Sequence, residues 1–163
     1  MYLMDATYEN VRDVMHDMSD ISLAEMGAAG ATNAWQGLIR AKLCKDKGFL
    51  KAIMLGPTPV AIFGAAKVDV NTMRTWFIGS DKYFSLKIAG VKVAAREMAR
   101  MAEAYPHFSF ESVSASTEPS VIKWFSALGF NRVKTEGCWT TFRYVGRKLK
   151  NAKNHDMIEP TRA

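Results

Sequence analysis

The chain has 163 residues, 48% of them hydrophobic, and a net charge of +6, which suits one globular domain with a single core. No apolar run reaches the roughly 18 residues of a membrane-crossing helix, so a helical membrane span is excluded. Two cysteines at no metal-ligand spacing, ten methionines and a start from Met1 to Arg12 with no basic lead-in predict an unexported protein in a reducing cytoplasm. The charge is uneven. Residues 1–33 hold one base and six acids, whereas the remainder holds 21 bases and 10 acids. Two readings stay open: a phosphate-bearing partner, or an acidic helix packed beside a basic one.

In chain order, Tyr2 to Met4 reads as a first strand and Asp5 or Thr7 as a cap. Val11, Val14, Met15 and Met18 then fall at i, i+3, i+4 and i+7, the stripe of an amphipathic helix. Ser22 with Glu25 fits a capping box for a second helix. Thr32 or Asn33 can cap a third, carrying Trp35, Leu38, Ile39, Ala41 and Leu43. Phe49–Leu55 and Val60–Val68 are strand-like runs joined by Gly56-Pro57-Thr58-Pro59, a hairpin signal, with Gly64 expected at a bulge. Met73–Ile78 is a further strand.

Ser85–Tyr105 is the longest helix signal, with Lys92, Arg96 and Arg100 as a basic stripe and Glu97 and Glu103 as neighbours. His107–Ala115 alternates like a half-buried strand. Thr117 to Phe130 reads as one short punctuated helix: Thr117 as N-cap, Pro119 in the first turn, Val121, Phe125 and Leu128 on the apolar face, Gly129 as the left-handed stop. Asn131–Glu136 and Trp139–Val145 are the last strands. This predicts a single domain over 1–145 and a basic, flexible tail over 146–163.

The order of elements and the run Val121-Ile122-Lys123-Trp124-Phe125-Ser126-Ala127-Leu128-Gly129-Phe130 resemble the GNAT acetyltransferases over nearly the whole chain. Ala6–Arg12, Ser22–Glu25, Thr75–Ser80 and Ile122–Phe125 further resemble the GNAT-like proteins of tailed bacteriophages, including a virion-assembly-associated family of T7-like phages. The resemblance implies an α+β fold, a mixed, mostly antiparallel sheet flanked by helices. It also implies acetyl-CoA in a V-shaped opening between the fourth and fifth strands, along Trp76, Phe77 and Ile78. The pyrophosphate would lie over Gly79, Ser80 and Lys82, with Lys87 near, because helix N-termini favour anions. Thr117 and Phe125 complete the expected cofactor-binding set, and no metal is implied.

The chain departs from the family's pattern at several points. Its loop has Gly79 but no glycine-rich run, and Phe125 stands where many members carry a proton-donating tyrosine. Arg74 and Thr75 occupy strand positions where a carboxylate is common. Glu111 and Glu25 are candidate bases by location only, and Tyr83 is a candidate replacement acid. The catalytic residues are therefore left unassigned.

Three functions follow as expectations. The first is acetyl transfer from acetyl-CoA to an amine of a host or phage protein. The alternative is a non-catalytic phage protein of the same fold, acting in virion assembly or on a host target. A third, nucleic-acid contact through Lys92, Arg96, Arg100 and the tail, lacks a binding motif and interleaved aromatics. The expected location is the host cytoplasm or the virion.

Overall fold

The computed structural model describes residues 1–30 and 34–146, with backbone alone for 34 and 35. The predicted caps Thr32 and Asn33 and the tail from residue 147 onward lie outside the described residues. The first half runs β1 (Tyr2–Asp5), α1 (Tyr8–His16), α2 (Asp20–Ala28), α3 (Ala34–Lys47), β2 (Gly48–Leu55), β3 (Thr58–Lys67) and β4 (Thr72–Gly79). The second half runs α4 (Asp81–Ser85), α5 (Ile88–Ala104), β5 (Ser109–Ser114), α6 (Pro119–Leu128), β6 (Phe130–Glu136) and β7 (Trp139–Tyr144). The strands form one sheet in the order β1-β2-β3-β4-β5-β7-β6. Every neighbouring pair is antiparallel except β4 and β5. This is the mixed, mostly antiparallel α+β sheet that the order of elements predicts.

Period-two alternation in the central strands feeds two cores. Ile62, Ala66, Trp76 and Ile78 pack with Val11, Val14 and Met15 of α1, Met26 of α2, and Ala41 and Cys44 of α3. Phe63, Ala65, Met73 and Phe110 pack on the other face with Ala94, Ala95 and Met98 of α5 and Val121, Phe125 and Leu128 of α6. The acidic helices therefore lie on one face of the sheet and the long basic helix on the other. β6 is an edge strand, exposed from Asn131 to Glu136, and its charged side chains discourage further pairing.

Several local expectations are corrected. Thr7 does cap α1, in a reciprocal box with Asn10. Met18 falls beyond that helix, in an isolated bridge to Ser80, and packs on the core as a partly buried side chain. α2 starts earlier than its expected capping box: Ser19 is the cap, and Ser22 and Glu25 lie inside the helix, where their side chains are used elsewhere. The bulge falls between Ile53 and Met54 of β2, opposite Val60, rather than at Gly64. A Cβ on Gly64 would come 2.9 Å from Leu50 and 3.0 Å from the Cys44 sulfur, so this glycine permits close packing of α3 on the sheet.

The long helix expected over Ser85–Tyr105 is α5, which starts three residues later, at Ile88, and is preceded by the short α4. α4 ends at Ser85, and α5 starts after Lys87, whose φ of 47° and ψ of −119° break the helix. Periodicity carried the apolar pattern across this joint and concealed it. Glu97 is buried and pairs with Arg100 at 2.8 Å rather than with Lys92. α6 has Glu118, not Thr117, at its N-cap position, with no side-chain cap bond; Gly129 closes it at φ 96° as the sequence predicts.

Candidate functional site

β4 and β5 register only at Thr72–Ser109, Met73–Phe110 and Arg74–Glu111, and then part. The last tie between them is the Thr75 hydroxyl, which donates to the Glu111 carbonyl at 3.1 Å. On the far side of β4, Ser80 N–H donates to the Val60 carbonyl of β3. Alternation then turns the main-chain groups of Gly79, Phe77 and Thr75 away from β3, toward the opening. Gly79 is already satisfied: its N–H donates to Ser22 Oγ at 2.9 Å and its carbonyl accepts Ser19 N–H at 3.0 Å. Phe77 has no such partner among the described residues. Its N–H and C=O form a short free edge in the gap.

Helix α2 spans the mouth of this gap. Its N-terminal turn holds the tip of β4 through Ser19 and Ser22. Its Glu25 holds the end of β5, accepting from Ser114 Oγ and, at 3.1 Å each, from the N–H groups of Ala115 and Ser116. The carboxylate, a candidate base by location, is thereby committed to positioning the strand. Glu111 is committed too, to Arg143 at 2.8 and 3.2 Å. Arg74, Glu111 and Arg143 are direct neighbours across β4, β5 and β7.

The gap opens into a cleft of about 650 Å³ between α2, α3, the parted strands and α6. Trp76, Phe77 and Phe125 of the expected cofactor set line it; Ile78, Gly79, Ser80, Lys82, Lys87 and Thr117 are not among its lining residues. Ile78 is fully buried in the α1–α3 core. Ser80 is spent on structure, donating through Oγ to the Val60 carbonyl at 2.9 Å and capping α4 by accepting Tyr83 N–H at 3.3 Å. Lys82, Lys87 and Thr117 are exposed. At the start of α5 the Ala89 N–H bonds Leu86 and the Val91 N–H bonds Lys87. The other amides of a first helical turn are intrinsically unpaired, which makes this end the anion-favouring one, some residues beyond Gly79-Ser80.

The α6 side of the cleft is aromatic. Phe77 contacts Trp124 at 4.8 Å between ring centroids, and Trp124 contacts Phe125 at 5.1 Å. Phe125 stacks on Phe142 at 4.2 Å with planes 10° apart, so the residue at which the resemblance expects a tyrosine packs the core. Tyr83 does not stand in. It is buried beneath Phe77 and Phe84, and its hydroxyl lacks a hydrogen-bond partner. Burial pushes its phenol up to about 12, offset in part by the nearby Trp124 side chain, although no bond of proper geometry joins the two. Burial likewise pushes the Cys44 thiol, on the α3 wall, up to about 12, which keeps it protonated and unreactive.

On the α1–α3 side the lining includes Met26, Leu43, Trp76, Trp139 and two arginines, Arg40 and Arg74. These arginines and Trp139 were not picked out as site residues from sequence. Arg74 was legible only as the wrong charge for a base, and Arg40 carries no local signature. Among the described residues no group of three or more His, Cys, Asp or Glu side chains could hold a metal ion, and no helix is long and apolar enough to cross a membrane.

No family model matches the chain, and no curated protein sequence does. Solved structures do. The GNAT domain of S. lividans PAT superposes with a TM-score of 0.69 at 13% identity, covering 87% of this chain and 88% of that one. PaiA N-acetyltransferase from Thermoplasma acidophilum, in complex with coenzyme A, gives 0.67 at 8% identity over 88% and 97% of the two chains. A GNAT superfamily phosphinothricin acetyltransferase from Sinorhizobium meliloti, in complex with acetyl-CoA, gives 0.65 at 12% identity over 94% of each. The likeness spans most of the chain, and the chain has the GNAT N-acetyltransferase fold.

Proposed function

We propose that the protein transfers an acetyl group from acetyl-CoA to an amine. The observation that carries this reading is the free main-chain edge of Phe77 in the gap between β4 and β5, opening into a cleft of about 650 Å³. An extended amide chain can add to such an edge as a strand does. In this reading Thr75 and Phe77 hold the amides of the pantetheine arm, Trp124 and Phe125 flank it, and the first turn of α5 with Lys87 and Lys82 faces the phosphates. Lys87 fits that role in one further respect. A non-glycine residue at φ 47° is strained, and such strain collects at functional sites. When bound, acetyl-CoA supplies a thioester: the amine lone pair forms a C–N bond to the acetyl carbon, the C–S bond breaks with its electron pair going to sulfur, and the proton shed by nitrogen ends on the thiolate. With Glu25 and Glu111 committed elsewhere, the chain's contribution is positioning and exclusion of water rather than proton transfer by a side chain.

Taken alone, the sequence resemblance would make the acceptor a host or phage protein. A second reading, a non-catalytic phage protein of this fold acting in virion assembly or on a host protein, is favoured by one specific contact. Phe77 and Trp124 meet across the cleft at 4.8 Å, where the pantetheine arm would pass. Calorimetric titration with acetyl-CoA separates the two readings. Transfer requires saturable binding at micromolar to millimolar cosubstrate, weakened at least tenfold by Lys87→Glu. Absence of heat at 5 mM acetyl-CoA, with the protein folded by circular dichroism, would leave the non-catalytic reading alone.

A further inference from the structure

We propose that the α1–α3 side of the cleft receives a weakly basic aromatic amine that carries a carboxylate; this rests on the acetyl-transfer reading. Three observations converge on that acceptor. First, two guanidiniums line this side, and one carboxylate contact is made to them, between Arg74 and Glu111 at 3.8 Å. Arg40 donates to a carbonyl, Ala29 O, at 2.9 Å. Arg74 Nε is buried with no partner, and its nearest carboxylate oxygen, on Glu111, lies at 3.8 Å, beyond hydrogen-bond reach. Glu111 is shared between Arg74 and, more closely, Arg143 at 2.8 Å, so one carboxylate faces two guanidiniums and the fork of Arg74 keeps donors for an incoming carboxylate.

Second, the cleft offers no free base among the described residues. Glu25 is the one acid among the described lining residues, and its oxygens accept Ser114 Oγ and the Ala115 and Ser116 N–H groups; no described histidine lines the cleft. A lysine ammonium, with a pKa of about 10.4, is neutral in only about one molecule in a thousand near pH 7.4. Two arginines nearby oppose the entry of a charged ammonium, since like charges repel. An arylamine arrives neutral and needs no deprotonation before attack. Third, the walls are made for a flat apolar body. Trp76, Trp139, Leu43 and Met26 surround the arginines, and the Trp76 indole N–H is itself without a partner.

The test uses the full chain and 4-aminobenzoate as probe, against its methyl ester, which keeps the ring and amine but lacks the charge. Calorimetry is expected to show the acid binding at least tenfold tighter than the ester, and Arg74→Met to abolish that difference while leaving ester affinity in place. Arg40→Met repeats the comparison should Arg74→Met not fold. With acetyl-CoA present, mass spectrometry is expected to find N-acetylated 4-aminobenzoate forming at least tenfold faster than acetylated lysine in a short peptide. Equal affinity for acid and ester, or faster acetylation of the lysine peptide, would overturn the inference. If acetyl-CoA binds and 4-aminobenzoate does not, this inference falls alone. If 4-aminobenzoate binds through the arginines and acetyl-CoA does not, the anion site stands and the transfer reading falls.

Discussion

Replacing Glu25 tests whether α2 is a strut between the parted strands. The carboxylate accepts from Ser114 Oγ and from two N–H groups at 3.1 Å, which lie at the start of the connection to α6. Hydrogen bonds to a charged group contribute about 1.5–3 kcal/mol each where buried. The site is part-buried, and Ser114 Oγ keeps a second partner in Ser116 N–H at 3.1 Å, so the three bonds together are weighted to about 3 kcal/mol. Glu25→Ala is therefore expected to lose about 3 kcal/mol in urea unfolding followed by circular dichroism, or roughly 6–12 °C in Tm for a chain of this size. Glu25→Gln keeps one acceptor oxygen and loses the charge, and is expected to lose about half as much. The exposed Glu118, whose side chain makes no cap bond, is the control, with Glu118→Ala expected to fall within about 0.5 kcal/mol of the parent. An equally small loss for Glu25→Ala would refute the strut and return the carboxylate to the list of available bases.

Three further outcomes are expected. Lys87→Gly should stabilise the fold by about 1 kcal/mol by relieving the positive φ, at the expense of any anion contact the ammonium makes; a destabilised variant would count against strain at this joint. A thiol reagent should modify the exposed Cys138 in the native protein and reach the buried Cys44 only on unfolding, so two fast-reacting thiols would contradict the burial. Tyr83 and Cys44 have folded-state values raised to about 12, so their protonated burial stabilises fully below the unfolded-state values of roughly 10 and 8.5 and is lost as pH rises through about 12. Absorbance at 295 nm should show the Tyr83 phenol still protonated at pH 11, so that Tyr83→Phe leaves the change at that pH unaltered; a smaller change in the variant would contradict the buried phenol.

The fold was legible in the sequence wherever a period and a stop signal coincided. α6 is the clearest instance: Val121, Phe125 and Leu128 mark its face and Gly129 its end, and all three apolar residues are buried. The strands were also readable as runs along the chain, most clearly β4 between Asn71 and Gly79 and β2 and β3 around Gly56-Pro57. Caps were less so. Thr117 and Ser22 have the right chemistry one to three residues from the true caps, and side-chain chemistry alone does not choose between adjacent candidates. The joint at Lys87 was hidden, since a backbone torsion leaves no mark on hydrophobic spacing. Phe125 was legible as a phenylalanine where the resemblance expects a tyrosine, and its ring packs the core. That Glu25 and Glu111 are tied up, and that Arg40 and Arg74 share one cleft, depends on contacts between residues as far apart as Glu25 and Ser116, which no local pattern encodes.

Amide hydrogen exchange over the segment Thr75–Phe77 tests the proposed cosubstrate edge most directly. The Phe77 N–H faces the gap without a partner among the described residues, so saturating acetyl-CoA should slow exchange in this segment at least tenfold while β2 and β3 are unaffected. Unchanged exchange at 5 mM acetyl-CoA would contradict the account.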